Sequence, residues 1–398
     1  MRVSNDTLRS AFLSALESAQ RRVIDTQEKV SSGKRVNKPS DDPVAAARIA
    51  HLDASLSRLD QYKSNSDFAR NQLGLEESAL NSVMDNLQRI RELTLQANNA
   101  TTSDSDRKDI AAEIRQARDA LLALANTTDV DGRHLFGGYV EGAAAFTTTS
   151  TGNVVYNGDQ GQRSLQISDS RFVAINDSGS DVFQKIPQGN GTFTLAANPA
   201  NSGSGTLGAG TVLNSAAWVR DTYRIDFLTP TTYEVRDSAN ALVSSGAFTA
   251  GQSISFRGIE VPIGGNPASG DSFTVAPAGN RDVFSMLDSL IASLEAPANG
   301  SAQRAQLNSS LGQRISDLDN TLAHISDVRG EIGARVRALD QQDSLSADFA
   351  LHLNSTLSSV RDLDYADALS RLQQEMFGLE AAQQTFARTQ DLSLFKYL

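Results

Sequence analysis

Near the N-terminus, Phe12, Leu16, Ala19, Val23, Thr26 and Val30 follow one another at alternating spacings of four and three, the seam of a coiled coil. The pattern stops at Gly33, Pro39 and Pro43, which do not suit a helix interior. Asp42 before Pro43 reads as an N-cap with proline in the first helical position. A second helix carries Ile49, Leu52, Leu56 and Leu59, then Tyr62, Ala69, Leu73, Leu80, Val83, Leu87 and Ile90 after a one-residue register adjustment. A break at Thr101 to Asp104 opens a third, with Ile110, Ile114, Ala117, Leu121 and Leu124.

The far end repeats the pattern. Val283, Leu287, Leu290 and Leu294 predict a short helix ending at Pro297 to Gly300. From Leu311 to Val360 apolar residues then fill 12 of 15 heptad positions, interrupted by Arg329, Asp343 and Ser346. A seam that regular needs a partner helix along its length. A final segment carries Leu369, Leu372, Met376, Leu379 and Phe386 before the ending Leu392 to Leu398.

Between these flanks the period changes. Residues 141 to 280 hold 12 of the 24 aromatics and 18 of the 28 glycines, which reads as short strands and turns. Asn153 to Tyr156 and Ser164 to Ile167 flank Asn157-Gly158 and predict a hairpin across that turn. Since the β-region offers no partner helix, the two flanks must bury each other. The expected fold is α+β: an elongated antiparallel coiled-coil bundle built from both flanks, with a β-rich domain inserted at its tip. The expected division is terminal helices at 1–42 and 361–398, a main bundle with a β-hairpin at 43–185 and 281–360, and a β-rich surface domain at 186–280. The terminal stripes are short and set off by chain breaks, so they are expected to be disordered in the monomer and to fold on assembly. Their charges are complementary: residues 1–40 sum to +4 and residues 364–398 to −2.

Composition narrows the chemistry. Without cysteine there is no disulfide framework, thiolate metal site or cysteine nucleophile. The net charge of −11 disfavours nucleic acid, and the eight basic residues among the first 40 are interleaved along a helical pattern. The N-terminus lacks the apolar core of a secretory signal, and no stretch has the uncharged length of a membrane span, which points to the cytoplasm or to a route without a cleaved signal. No histidine pair among His51, His134, His324 and His352 has i, i+4 ligand spacing. Gly203 to Gly208 matches G-x-G-x-x-G but precedes no helix, and is expected to be a flexible surface loop. Asp129-Val130-Asp131-Gly132 resembles the start of a calcium loop but lacks the distal Glu, and reads as the turn closing the third helix. No catalytic, metal or cofactor site emerges, so the chain is read as a structural subunit and not as an enzyme.

Several motifs together resemble the flagellin superfamily across residues 1–140 and 281–398. They are Ser31 to Pro43, with Arg35, Asn37, Pro39, Asp41, Asp42 and Pro43 in the turn after the first helix; Gly132 to Gly138; Tyr156 to Asp159; and Ile332 to Val336. Within that superfamily the prolines flanking Asp41-Asp42, and the Leu392 to Leu398 ending, look more like the hook–filament junction branch than the flagellins. The resemblance implies a structural subunit of the extracellular flagellum that joins hook to filament. It implies unfolded type III export with a cytoplasmic chaperone on the C-terminal segment, self-association in a ring, another hook-associated protein on the hook side, and flagellin on the filament side. Neither a cofactor, nucleic acid nor membrane insertion is implied. The subunit contacts would come from the terminal helices, through Phe12, Leu16, Val23, Val30, Leu369, Leu372, Met376, Leu379 and Phe386. Two alternatives stand beside this: a flagellin that forms the filament itself, and a surface adhesin or glycan-binding module with Trp218, Tyr223 and Tyr233 as a sugar platform. The β-region shows no usable resemblance.

Overall fold

The computed structural model describes residues 5–99, 101–298 and 300–391; the expectations placed on Leu392 to Leu398 lie outside the described residues. Three helices come first: α1 (Asn5–Ser32), α2 (Pro43–Ala97) and α3 (Asp104–Ala125). Ser103 starts α3 with a capping box, its hydroxyl accepting from the Asp106 amide while the Asp106 carboxylate accepts from the Ser103 amide.

Two hairpins follow, β1 (Phe146–Thr148) with β2 (Val154–Tyr156), and β3 (Ser164–Ser168) with β4 (Arg171–Ala174). The expected hairpin across Asn157-Gly158 therefore does not form, because β2 and β3 each pair with another strand. Gly158 keeps a negative φ and is needed for close approach instead: a Cβ there would stand 2.7 Å from the Gly137 carbonyl oxygen. Asp159 accepts from the amides of Tyr139 and Gly161 at 2.9 and 2.8 Å, and the Tyr156 hydroxyl lies 2.9 Å from the Phe136 carbonyl. The turn residues are thus used to lock this segment onto the loop after α3.

After a π-helical turn at Ser180–Gln184 comes β5 (Ile186–Pro187). The inserted domain runs through β6 (Phe193–Ala197), β7 (Thr206–Leu207), β8 (Thr211–Val212), β9 (Tyr223–Thr229), β10 (Thr232–Arg236), β11 (Leu242–Ala247), β12 (Ser253–Phe256), β13 (Ile259–Gly264) and β14 (Ser272–Pro277). One sheet has the order β11-β10-β9-β14-β6; the other is β12-β13-β7, with β8 also on β13. The two enclose a core containing Phe193, Tyr223, Ile225, Phe227, Val235, Ile259, Val261 and Phe273. Next, β15 (Asn280–Arg281) pairs antiparallel with β5 and closes the neck of the insert. The chain ends in α4 (Val283–Glu295), α5 (Ser301–Arg361) and α6 (Tyr365–Asp391).

Gly203 to Gly208 is not a flexible loop. It contains β7; the Gly203 amide donates to Asp271, and the Leu207 amide donates to the Ser309 hydroxyl on α5 at 3.1 Å.

Two compact units divide the chain, residues 1–64 with 341–398, and residues 65–340. Both cuts fall inside helices α2 and α5 and not at the breaks near 42 and 361. In the second unit α2 and α5 run antiparallel, as Arg70–Asp340, Arg329–Glu77 and Arg91–Asp319 show by pairing at 2.9, 3.9 and 2.5 Å. Leu73, Leu80, Leu87, Ile90, Leu311, Leu318, Ile325 and Ile332 are fully buried there, joined by α3, α4 and the aromatic group Phe136, Phe146, Phe183 and Phe284. By the usual scale, about 25 cal/mol per Å² of apolar surface, this is where the chain's main hydrophobic stabilisation lies.

Candidate functional site

The turn residues and the subunit-contact residues expected from the sequence fall into the first unit, in two groups. In the first, the α1–α2 connection meets the α5–α6 connection. Gly33 ends α1 with φ +69°, a left-handed conformation that favours glycine, and a Cβ there would stand 2.7 Å from the Tyr365 Oη. Lys34 and Asp362 form an antiparallel bridge; the Arg35 amide donates to the Arg361 carbonyl at 2.7 Å and the Leu363 amide to the Gly33 carbonyl at 3.0 Å. The Arg35 guanidinium donates to the Val360 carbonyl at 2.8 Å and lies 3.5 Å from Asp42. A cation at the C-terminal end of a helix satisfies orphan carbonyls and complements the macrodipole. Arg35 therefore caps α5 from a distant part of the chain.

Acidic side chains hold the turn that presents it. Asp41 accepts from the amides of Asn37 and Lys38, both at 3.0 Å, and these hydrogen bonds hold its carboxyl below the usual range. Asp42 caps α2 by accepting from the Ala45 amide at 2.9 Å, and Pro43 occupies the first helical position. The Asn37 side chain accepts from the Ser32 hydroxyl at 2.9 Å, while Pro39 stays exposed in the turn. Val36 is buried beneath.

The second group is the pairing of α1 with α6. Phe12, Leu16, Val23 and Val30 are half-buried, as are Leu372, Leu379 and Phe386. Leu369 and Met376 are not in this seam: they are 47% and 55% exposed. The covered positions on α6 are Ala368, Leu372, Glu375, Leu379, Ala382 and Phe386, one residue behind the apolar stripe at two places, Ala368 and Glu375. Glu375 accepts a hydrogen bond of 2.7 Å from Thr26, a polar pair inside the seam that fixes register. Only Ala19 on α1 and Ala368 on α6 are buried among the described residues of these helices. Leu13, Ile24, Leu345, Phe349, Leu351, Tyr365 and Phe377 are also exposed in this unit.

A third motif, Ile332 to Val336, belongs to the other unit. Arg335 donates to both carboxylate oxygens of Asp177 at 2.8 and 2.9 Å, and the Asp177 amide donates to Glu76 at 3.0 Å. Desolvation, reinforced by the neighbouring Asp177 charge, pushes the Glu76 carboxyl up to about 8, so it holds its proton at neutral pH.

The remaining candidates are structural. Asp129 accepts from the amides of Asp131 and Arg133, both at 2.9 Å, as a turn does. Trp218 lies between Phe193 and Tyr223, with ring centroids 5.7 and 5.6 Å away, and Tyr233 packs on Phe227. Tyr223 is buried in the insert's core, and Trp218 and Tyr233 are half-buried against it, as rings that build a small β core are.

Residues 3–141 match the family described as the bacterial flagellin N-terminal helical region, and residues 196–277 match the D2-like domain of flagellar hook-associated protein 1. The insert thus does have a recognisable relative. Flagellar hook-associated protein 3 of Salmonella typhimurium is 27% identical over 397 residues, covering all of this chain and 99% of that protein. Crystal structures agree. Xanthomonas campestris FlgL is 37% identical, with a TM-score of 0.69 over 77% of this chain and 99% of that one. The flagellar junction protein FlgL from Legionella pneumophila is 31% identical, with a TM-score of 0.73 over 79% of this chain and all of that one.

Proposed function

The chain belongs to the family of flagellar hook-associated protein 3, structural proteins of the hook–filament junction, and from that premise we propose how its own residues make the joint. It is a structural component of the bacterial flagellum. In our reading it has no enzymatic role, is exported unfolded through the type III apparatus with a chaperone on its C-terminal segment, and self-associates in a ring. Another hook-associated protein contacts it on the hook side and flagellin on the filament side. No described helix is long and apolar enough to cross a membrane.

The observation that carries this reading is the apolar surface left open on the first unit. The α1–α6 pair covers little of itself, and Leu369, Met376 and Phe377 lie outside its seam. A helix pair with so little buried surface is marginal by itself, and the open apolar residues are suited to neighbouring subunits. We therefore read residues 1–42 and 361–398 as segments that order fully on assembly. Amide exchange tests this: fast exchange across α1 and α6 in the monomer, slowed on assembly, is expected, and strong protection in the monomer would sink it. The junction role itself is tested in cells. Deleting the gene should leave intact hooks without filaments and shed flagellin into the medium, and a Leu369→Asp, Met376→Asp variant should fail to restore filaments. Normal motile filaments after deletion would refute it.

A further inference from the structure

Strand β6 is the last in its five-stranded sheet. Its inner edge is used by β14: the Ala278 amide donates to the Thr192 carbonyl at 2.9 Å and the Asn198 amide to the Ser272 carbonyl at 3.1 Å. With Thr194 opposite Ala276 and Ala196 opposite Thr274, the alternation of an antiparallel ladder turns the N–H and C=O of Leu195 and Ala197 to the outer edge. Phe193, the other outward residue, is closed off by Asn190, whose side chain accepts from its amide at 2.9 Å. Among the described residues no strand pairs with Leu195 or Ala197 on that side.

Two cavities of about 330 and 280 Å³ run along this edge and share Ala196 and Gln313, so they form one trough lined by β6, α5 and the Leu207 to Gly210 segment. One end is charged. Arg281 and Arg314 share a single carboxylate, Asp317, at 3.5 and 2.9 Å. The shorter contact lies off the hydrogen-bonding direction, and Nη1 of Arg314 is buried without an acceptor. Two cations against one anion leave that end with an excess positive charge and a donor to satisfy.

We propose that this trough docks an extended acidic peptide segment of a partner protein, which adds as a strand to β6 at Leu195 and Ala197 and places a carboxylate at Arg314. Exposed edges are usually protected by charges or proline, and Phe193-Thr194-Leu195-Ala196-Ala197 has neither. Its cover is α5 together with the Leu207 to Gly210 segment, which leave the trough open along the edge. Five residues of β6 span roughly 16 Å, enough for a short strand whose backbone supplies affinity while the carboxylate fixes direction. The proposal stands independently of the junction reading.

Phage-displayed random heptapeptides selected on the full-length protein, then remade and titrated by fluorescence anisotropy, test it. Enriched sequences should carry Asp or Glu toward one end. Ala197→Pro, which removes the outward N–H and leaves the bonds to β14, and Arg314→Gln should each weaken binding at least tenfold. If Arg314→Gln lowers the melting temperature, backbone N-methylation of the peptide replaces it. In the free protein the Leu195 and Ala197 amides should exchange faster than those of Thr194 and Ala196, and should slow when peptide binds. Absence of any enriched sequence, binders indifferent to Ala197→Pro and N-methylation, or slow exchange at Leu195 and Ala197 in the free protein would each overturn the proposal.

Discussion

Helices α2 and α5 each carry one heptad pattern through two different environments. Between residues 65 and 340 the seam residues Leu80, Leu87, Leu318 and Ile325 are fully buried. In the other unit the same pattern leaves Leu52, Leu56, Leu59 and Leu353 half-buried and closes over Leu357, while Leu345, Phe349 and Leu351, off the seam, are open. Periodicity states which face is apolar; it does not state how many neighbours will cover that face. In the inner unit α3, α4 and the hairpins provide that cover.

The sharpest way to break this contrast is truncation on each side. Leu87→Ala should cost about 3 kcal/mol of global stability through the cavity it leaves, read as a lower denaturation midpoint at unchanged slope. Leu16→Ala should leave that midpoint within ~0.5 kcal/mol and change only amide exchange in α1. Equal effects would erase the distinction.

Next comes pH. The Glu76 carboxyl is raised in the folded chain, so the folded state binds more protons than the unfolded one between about pH 4.5 and 8, and stability falls as pH rises through that window. Its contribution is fully present below about 4.5 and lost by about 8. Glu76→Gln should match the parent near pH 4.5 and become the more stable by at most about 1.4 kcal/mol per pH unit above it. Parallel pH curves for the two proteins would remove Glu76 as the cause.

Gly33→Ala adds a Cβ both at positive φ and against Tyr365, and should loosen the clasp between the two connections by about 1–2 kcal/mol. Exchange at the Arg35 and Leu363 amides would report it. Adding Tyr365→Phe should recover the contact part and leave the backbone part. The smallest effect belongs to the seam pair. Thr26→Val with Glu375→Leu should change α1–α6 stability by under about 1 kcal/mol, while cross-linking between engineered cysteines would show more than one register.

How much of this was readable depended on residue type. The long seams, the Asp42-Pro43 start and the glycine-rich middle were legible because apolar spacing, caps and turn residues act locally. On α6 the sequence marks Leu372, Leu379 and Phe386 correctly but points to Leu369 and Met376 instead of Ala368 and Glu375, which are too small or too polar to advertise burial. Glu76 occupies the gap between Leu73 and Leu80, and that acidic interruption was its only signal. Arg35 was visible as part of a motif, yet its role needed Val360, which no local pattern connects to it. The Asn157-Gly158 hairpin failed for the converse reason: a strong turn signal was overridden by packing against Gly137 and Gly138.

The clasp also carries a kinetic consequence. Arg35 and Val360 are 325 residues apart, and closing a flexible loop of that size costs about 5 kcal/mol in chain entropy. Once residues 65–340 have folded, only two short tethers remain to be closed, and most of that cost disappears. The clasp therefore closes most cheaply after residues 65–340 have folded, and a chain delivered from its N-terminus holds Arg35 without its acceptor until Val360 has followed.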